Sequence, residues 1–433
     1  QHIPGHLHTN TIQMAISATL KAGHHPISKT KILVVALFIL YPLGALPFIL
    51  IEIYNQKRYA FTLLALFMGL CSMLMAPSGD LYRHTMNYIA FKGMDFSELI
   101  GPYIKFDFTL YTVSFLFAKL HLHFELVRCL FVCVSYLCVF WALNDIVKRN
   151  RALQDNRTIC FAAFLVVFFA VEFFSITLGL RHGLATYLMA TGIYKLFRRG
   201  QATGWWLILI SGLTHFSMIP IISLILLLRI FPFRLNKWFV IGVSGIVVLL
   251  STTLLETAIS ALPLPEEIKA HALAYVSGYW ANEFLEDRSA LFNVARIISQ
   301  ISVYPLVIIF LLGYRNKDYT PFKGMLLINT LLLFLLYPIG GLFTRFSSLM
   351  IPLYLFDLLT NFTPGRAKSR ILRLILLCSL ISFSSQVYAF RKHLTALSRM
   401  HTLAYSPAPY ILCQEFDETW LDRHINQDGS PRF

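Results

Sequence analysis

About ten apolar runs, each long enough to cross a lipid bilayer, follow one another between Ile32 and Phe390. A hydrocarbon core of roughly 30 Å requires about 17 to 25 apolar residues in a helix. Hydrophobic residues make up 57% of the 433-residue chain and charged residues only 14%, which is too few to cover a water-exposed globule of this size. This composition excludes a disordered chain, a secreted disulfide scaffold and an ordinary cytosolic enzyme. It predicts an all-α, polytopic membrane bundle of about 10–12 transmembrane helices.

The distribution of basic residues predicts the orientation of this bundle. The net charge is +15, but Lys and Arg occur in short clusters between apolar runs and form no continuous stripe, so we expect no nucleic-acid partner. Clustered Lys and Arg mark the cytoplasmic side of a membrane protein. The loops between these clusters, which have few basic residues, are therefore assigned to the outside. The main clusters are Lys57–Arg58, Lys148–Arg157, Lys195–Arg199, Arg229–Lys237, Arg315–Lys323 and Arg366–Arg373.

Two segments do not fit a simple count of crossings. Phe106–Ala118 is apolar but only about four turns long, so a short juxtamembrane or re-entrant helix is preferred to a full crossing. Trp205–Leu228 is interrupted by Thr214, His215 and Pro220, and a broken hairpin preserves the charge rule. Irregular backbone at membrane depth is tolerated only when it is buried in protein or lines a wet cavity, so this break indicates a site. The spans predicted on this basis are Ile32–Tyr54, Tyr59–Ala76, Phe124–Val147, Thr158–Thr177, Gly183–Phe197, Trp238–Leu255, Leu291–Leu312, Gly324–Tyr337, Phe346–Leu359 and Ile371–Phe390.

Three units follow from this reading. Residues 1–31 form a His-rich lead segment, residues 32–390 form the transmembrane domain, and residues 391–433 form an outer C-terminal tail. Within the transmembrane domain, residues 256–290 form an acidic outer loop, and its Leu-Pro-Leu-Pro start favours a folded lid. The seven cysteines include no CxxC pair, and six of them lie in apolar runs, so no disulfide framework is expected.

The first candidate site lies where the second predicted span emerges on the outside. Asp80, Tyr82, Arg83 and His84 follow Pro-Ser-Gly within five residues. Together they supply a carboxylate, a phenol, a guanidinium and an imidazole, which suit proton transfer, anion binding and contact with sugars. A structural alternative is that Asp80 only caps an interfacial helix, since Asp is a preferred N-cap residue.

Two further arginines lie next to glycines at outer helix starts. Arg181 and His182 lie between Gly179 and Gly183, and Arg345 follows Gly340-Gly341. A helix N-terminus favours anions, and glycine lets the backbone approach a ligand closely. Two outward arginines in this setting form a plausible diphosphate-binding pair. Arg181 could instead extend its side chain to the membrane interface without any ligand.

His215 and Glu172 complete the candidate residues. His215 lies at the helix break. A functional role therefore has about the same weight as the alternative, a buried histidine whose hydrogen bonds are satisfied within the core. Glu172 lies inside a predicted span, two to three turns from Arg181, as a second candidate base or as one partner of a salt bridge. The histidines show no metal-ligand spacing, so neither a metal nor another cofactor is expected.

The order of these motifs resembles the EpsG-type and Wzy-type exopolysaccharide or O-antigen polymerases. The resemblance rests on Pro-Ser-Gly-Asp80-Leu-Tyr-Arg-His, Leu180-Arg-His-Gly-Leu-Ala, Leu213-Thr-His-Phe-Ser and Phe343-Thr-Arg-Phe, and it covers roughly Ile32 to Tyr410. It implies a GT-C-like glycosyltransferase in the bacterial cytoplasmic membrane, with its site facing the periplasm. Such enzymes transfer a glycan from an undecaprenyl diphosphate carrier to the next lipid-linked repeat unit.

The resemblance also assigns expected roles. Arg181 and Arg345 would bind the diphosphate, and Asp80, or Glu172 as second choice, would accept the proton. His215 and Arg83 would contact carrier or acceptor, and Tyr82, His84 and His182 would complete the substrate-binding set. Expected partners are undecaprenyl-diphosphate-linked oligosaccharide, membrane lipids, a flippase and a chain-length regulator. The alternatives are a flippase or transporter of the same lipid-linked sugars, a transferase of single sugars, and an O-antigen ligase.

Overall fold

The computed structural model describes residues 29–100, 107–230, 234–248, 252–263, 265–278, 290–337 and 339–432. These residues form α-helices joined by loops and by short 3-10 and π-helical turns. Across these ranges the extended pairing is limited to an isolated antiparallel bridge between Ile425 and Pro431. The predicted all-α class is therefore confirmed.

We number the α-helices in chain order as α1 Lys29–Leu40, α2 Pro42–Tyr54, α3 Arg58–Met73, α4 Asp80–Phe91, α5 Phe96–Leu99, α6 Phe108–Lys119, α7 Phe124–Arg149, α8 Arg151–Gln154, α9 Arg157–Ala170, α10 Phe173–Leu178, α11 Leu180–Ile193, α12 Gly204–Thr214, α13 Ile219–Ile230, α14 Lys237–Val248, α15 Thr252–Ala261, α16 Glu266–Val276, α17 Ala290–Ser299, α18 Val303–Gly313, α19 Pro321–Leu335, α20 Gly340–Thr360, α21 Arg366–Ala389, α22 Ala408–Leu412 and α23 Glu418–His424. A π-helical turn extends α11 over Tyr194–Arg198, and a 3-10 turn, Phe216–Met218, separates α12 from α13.

Among the described residues, α7, α20 and α21 are long and apolar enough to cross a membrane, and shorter apolar helices accompany them. Each of the three overlaps a span expected from the sequence. Helix α21 has much of its surface exposed, whereas α7 and α20 are mostly buried within the bundle. An exposed apolar helix surface is stable where it faces lipid. The chain is a polytopic membrane protein.

Helix α11 lies at the centre of the bundle, in contact with α7, α12 and α20. Small residues let it approach its neighbours closely. A Cβ atom on Gly204 of α12 would lie 2.6 Å from the carbonyl oxygen of Gly192 in α11. Close helix contacts through glycine are a common means of association in membranes, where no hydrophobic effect drives helices together. The central position of α11 fixes the orientation of its N-terminal residues.

Both irregular segments expected from the sequence are present. Helix α6 has 12 residues, or about 18 Å at 1.5 Å per residue, and is too short to cross the hydrocarbon core. Helix α12 ends at Thr214, and His215 has extended backbone torsions that stop the helix before α13 begins. A Cβ on Gly212 would lie 2.6 Å from the Ile222 side chain, so the two helices contact each other beside the break.

One end of the bundle carries basic clusters, and the other end contacts the C-terminal tail. At one end the amide of Asn150 donates to the carbonyl groups of Leu359 and Phe362, so the basic C-terminal end of α7 lies beside the α20–α21 connection. At the other end of α7, the His123 ring lies 2.7 Å from the carbonyl oxygen of Leu412 in the tail. The basic clusters near residues 148–157 and 361–373 therefore lie at the end opposite the tail.

The remaining expectations concern the lead, the outer loop and the tail. Residues 1–28 of the predicted lead segment lie outside the described residues, as do residues 279–289 of the predicted lid. The described part of the outer loop contains the end of α15 and all of α16. The boundaries at residues 31 and 390 stay predictions.

A substitution at the contact between α10 and α11 tests the packing that orients the start of α11. A Cβ on Gly183 would lie 2.5 Å from the Cα of Ile176, so Gly183→Ala must displace backbone. We expect the free energy of unfolding to fall by about 1–3 kcal/mol, which is typical of an overpacked interior. The measurement is the melting temperature of the detergent-purified protein, which should be lower. Gly242→Ala in α14 is the control, because nothing lies within 4 Å of its added Cβ. Equal melting temperatures for the two variants would contradict this account.

Candidate functional site

Asp80 is the first residue of α4 and does not act as the N-cap. The N-cap position belongs to Gly79, whose torsions of φ 59° and ψ −126° suit glycine far better than any other residue. The structural alternative of a capping Asp80 is therefore wrong. Its carboxylate instead accepts hydrogen bonds from the guanidinium groups of Arg83 and Arg181, and the His84 imidazole Nε2 lies 3.3 Å from Oδ2.

Arg181, the second residue of α11, bridges two carboxylates from separate parts of the chain. Its Nη2 donates to Asp80 Oδ2 at 2.8 Å, and its Nη1 donates to Asp107 Oδ2. Asp107 immediately precedes α6, so one guanidinium connects the N-terminal ends of α4, α6 and α11. The planar fork of Arg is suited to two acceptors, a geometry that the single ammonium of Lys does not offer. Arg181 is therefore paired, and the alternative of an unpaired side chain reaching the interface is wrong.

Asp107 also orients His215 at the break between α12 and α13. The second carboxylate oxygen, Oδ1, lies 3.0 Å from His215 Nδ1. Both side chains are largely buried. A carboxylate on Nδ1 favours the tautomer that carries its proton there and leaves Nε2 as the acceptor, as in the His–Asp pairs of hydrolases. This contact leaves Nε2 of His215 as the acceptor nitrogen of the ring.

His182 and Arg345 lie on the other side of His215. The rings of His182 and His215 meet edge to face, with centroids 5.8 Å apart. His182 Nε2 lies 3.2 Å from the carbonyl oxygen of Arg345, in the second turn of α20. The Arg345 guanidinium is close enough to interact electrostatically with both imidazoles. The structure therefore brings Arg181 and Arg345 together around this histidine pair.

The surrounding cations keep the two aspartates ionised. Burial opposes ionisation of Asp80, but its contacts with His84 and Arg181 outweigh burial and hold the pKa of the carboxyl well below its usual range. Burial likewise opposes ionisation of Asp107, but its hydrogen bond with His215 and the charge of Arg181 lower its pKa. A carboxylate stabilised in this way is a weak base, since a base must compete for the proton.

Glu172 and Tyr82 lie apart from this cluster. Glu172 is buried between α9 and α10 and accepts a hydrogen bond from Ser348 Oγ at 2.7 Å. The Tyr82 side chain faces the C-terminal tail, where it packs against Leu421 and Ile425. Among the described side chains, Glu172 has no salt bridge of the kind expected, and its polar side-chain contacts are with Ser348 and Ser175.

Two residues of the cluster were not expected from the sequence. Asp107 connects Arg181 to His215, and the ring of Tyr111, one turn into α6, meets His84 edge to face at 5.9 Å. The available signal was the position of Asp107, an acidic residue at the entry to a short apolar helix on the same side as Asp80. Within the described residues, no three His, Cys, Asp or Glu side chains are grouped as metal ligands.

Comparison with known families adds an independent observation. A family model described as the EpsG family matches residues 58–405, which include every member of the cluster around Arg181. The chain belongs to the EpsG family. No curated protein and no solved structure matches it. The resemblance recognised from the short motifs is therefore confirmed, and EpsG membership suggests a membrane glycosyltransferase that polymerises exopolysaccharide.

The lowered pKa of Asp107 predicts how the stability of the site depends on pH. An Asp in an unfolded chain titrates near pH 3.9, so above about pH 5 the ionised side chain contributes its full stabilisation. As the pH falls through the lower pKa of the folded state, this contribution is lost. We expect the melting temperature of wild type to exceed that of Asp107→Asn by a constant difference from pH 8 to 5. Below about pH 4 this difference should shrink. The exposed Asp155→Asn is the control, and a margin that grows on acidification would contradict the assignment.

Proposed function

We propose that this EpsG-family protein is a polymerase that joins undecaprenyl-diphosphate-linked oligosaccharide repeats on the outer face of the bacterial cytoplasmic membrane. The observation that carries the proposal is the arrangement of Arg181 and Arg345 around the His182–His215 pair. The C-terminal extension of α11 lies at the basic end of the bundle, because Arg198 donates to Asn361, so the start of α11 with Arg181 and His182 lies at the opposite end. Lys and Arg clusters favour the cytoplasmic side, which supports an outward-facing site.

The two arginines suit departure of a lipid diphosphate. In the proposed reaction, an acceptor hydroxyl oxygen bonds to the anomeric carbon of the growing chain, and the bond from that carbon to the diphosphate oxygen breaks. The electron pair stays on the diphosphate, so negative charge grows on the phosphate as the bond breaks. Fixed cations placed there stabilise the transition state more than the ground state.

Arg181 retains donors for such a ligand. A guanidinium has five N–H donors, and the bonds to Asp80 and Asp107 use two of them. The two carboxylates fix the plane of the guanidinium and also offset its charge. The exposed Arg83 also donates to Asp80, so two guanidinium groups face the two carboxylates, and Arg345 adds a third guanidinium beside the His182–His215 pair. We therefore assign Arg181 to orientation of the diphosphate and Arg345 to stabilisation of its developing charge.

The geometry favours His215 over Asp80 as the group that accepts the acceptor's proton. Asp80 has two guanidinium partners, and its lowered pKa makes it a poor base. His215 is oriented by Asp107 through Nδ1, which leaves Nε2 for the hydroxyl proton. Glu172 contacts Ser348 and Ser175 and has no ion pair with a member of the Arg181 cluster among the described side chains. Neither a nucleotide sugar nor a metal is required by this reaction.

Replacing either arginine tests the proposed reaction in cells. In a deletion strain, Arg181→Ala and Arg345→Ala should each abolish polymer, while lipid-linked single repeats accumulate, as measured by mass analysis of lipid-linked glycans. Arg181→Lys should not restore polymer, because an ammonium lacks the rigid planar fork that Arg181 places between the two aspartates. Arg370→Ala, an exposed basic residue at the opposite end, should behave as wild type. Normal chain lengths in the Arg181 and Arg345 variants, at matched protein levels, would refute the proposal.

The role of His215 is tested with protein reconstituted in lipid vesicles and supplied only with lipid-linked repeats. We expect wild type to elongate them without a nucleotide sugar, a result that pure transport activity does not give. His215→Gln should lower kcat by roughly 10²–10⁴-fold with little change in KM, because general-base catalysis contributes about that much. If kcat is unchanged by His215→Gln, this assignment is wrong. A product longer by a single sugar would indicate a single-sugar transferase. Transfer of one finished glycan to an acceptor, with no further growth, would indicate a ligase.

A further inference from the structure

The end of the chain forms a hydrogen-bonded turn that lies beyond the family match at residue 405. We define residues 424–432 as the tail hairpin. Asn426 N donates to Ser430 O at 2.8 Å, and Gly429 N donates to Asn426 O at 2.9 Å. Arg432 N donates to His424 O at 2.8 Å, and the Arg432 guanidinium donates to the Asn426 side chain at 2.9 Å. These bonds give the hairpin a defined shape of its own.

The tip of the tail hairpin contacts the residue immediately before Asp80. Gly79 N donates to Gly429 O at 2.8 Å. The approach is so close that a Cβ on Gly429 would lie 2.9 Å from Gly79 O and 3.2 Å from its Cα. Gly429 also has φ 82°, which side-chain-bearing residues rarely adopt. The contact therefore depends on glycine in the hairpin, and it engages the N–H of Gly79, the N-cap residue of α4.

Apolar and backbone contacts of the C-terminal tail continue on both sides of Asp80. Before it, Arg399 N donates to Leu74 O at 2.7 Å, and Ala76 packs against Leu397 and Phe416. After it, Tyr82 packs against the C-terminal residues. The tail thus contacts residues 74 and 76 before Asp80, the adjacent Gly79, and Tyr82 two residues after it. This placement explains why Tyr82 faces away from the Arg181 cluster.

The membrane bundle holds the same segment from the opposite direction. Arg128 of α7 is fully buried and donates to the carbonyl oxygens of Ser72 and Met75 at the end of α3. The neighbouring Glu125 is also buried and accepts from the backbone N–H of Phe416 in the tail at 3.4 Å. Asp80 therefore lies in a turn fixed between the bundle and the tail.

We propose that the tail hairpin is a positioning element of the catalytic site, with Gly429 as its positioning residue. It fixes the Gly79–Asp80 turn so that the Asp80 carboxylate meets Arg181 and keeps the guanidinium in the orientation that receives the diphosphate. The catalytic part of this inference rests on the proposed function. The structural part, that the hairpin orders the start of α4, stands without it.

The kinetic test uses Gly429→Ala in the full-length, reconstituted protein. A displacement of about 1 Å in a positioned group can cost roughly 10²-fold, so we expect the elongation rate to fall by about 10- to 100-fold. Gly93→Ala, just after α4 and with nothing within 4 Å of its added Cβ, should retain the wild-type rate. In an Asp80→Asn background, Gly429→Ala should change the rate by no more than about twofold, because the group that it positions is already altered. If the rate of the double variant instead falls by the product of the two single-variant losses, the positioning role is overturned.

Hydrogen exchange gives a readout that does not depend on activity. In Gly429→Ala and in a chain ending at residue 424, amides of the peptide spanning residues 79–84 should exchange faster, while peptides from α7 should be unchanged. Unchanged exchange at residues 79–84 would overturn the inference. Faster exchange with unaltered elongation would overturn its catalytic part alone. If the variants exchange faster but the wild-type protein does not polymerise lipid-linked repeats, the proposed function is refuted and the structural part of the inference stands.

Discussion

The bridge made by Arg181 between Asp80 and Asp107 is the interaction on which the site depends. Three helix starts meet at this single guanidinium. Arg181 lies 101 residues after Asp80 and 74 residues after Asp107 in the chain. Removing one member of a partly buried ion pair leaves the other charge without compensation, which costs more than the intact pair contributes. The same bridge leaves His215 hydrogen-bonded to a carboxylate whose position is already fixed.

Helix packing provides the frame for this bridge. Helix α11 contacts α7, α12 and α20, and glycines at its contacts bring backbones within reach of each other. His182 and Arg181 are consecutive residues at its start, so they point to different sides. One side faces the two aspartates, and the other faces His215 and the backbone of Arg345. A single well-buried helix thus places a cation and an imidazole in the same site with little freedom to move.

The sequence predicted those parts of the site that have a local signal. Asp80, Arg181 and Arg345 follow glycines at helix starts, and His215 interrupts an apolar run, so position alone identified them as candidates. Asp107 was missed because its importance comes from pairing with residues 74 and 108 positions away, which no local pattern contains. Tyr82 was grouped with Asp80 by proximity in the chain, but two residues along a helix turn a side chain by about 200° and send it to the other face. The apolar runs predicted the membrane bundle directly, whereas only tertiary contacts could show that the tail packs beside α4.

The pairing of Arg181 has a consequence for turnover. A free arginine pair would hold a released diphosphate strongly, and strong retention of a product slows the next cycle. Asp80 and Asp107 already satisfy much of the Arg181 charge, so the lipid carrier, after losing its glycan, meets competing acceptors at the same guanidinium. In the proposed reaction the two aspartates stay bonded to Arg181 and weaken its hold on the diphosphate. The spent carrier would therefore leave the site readily and return to the bilayer.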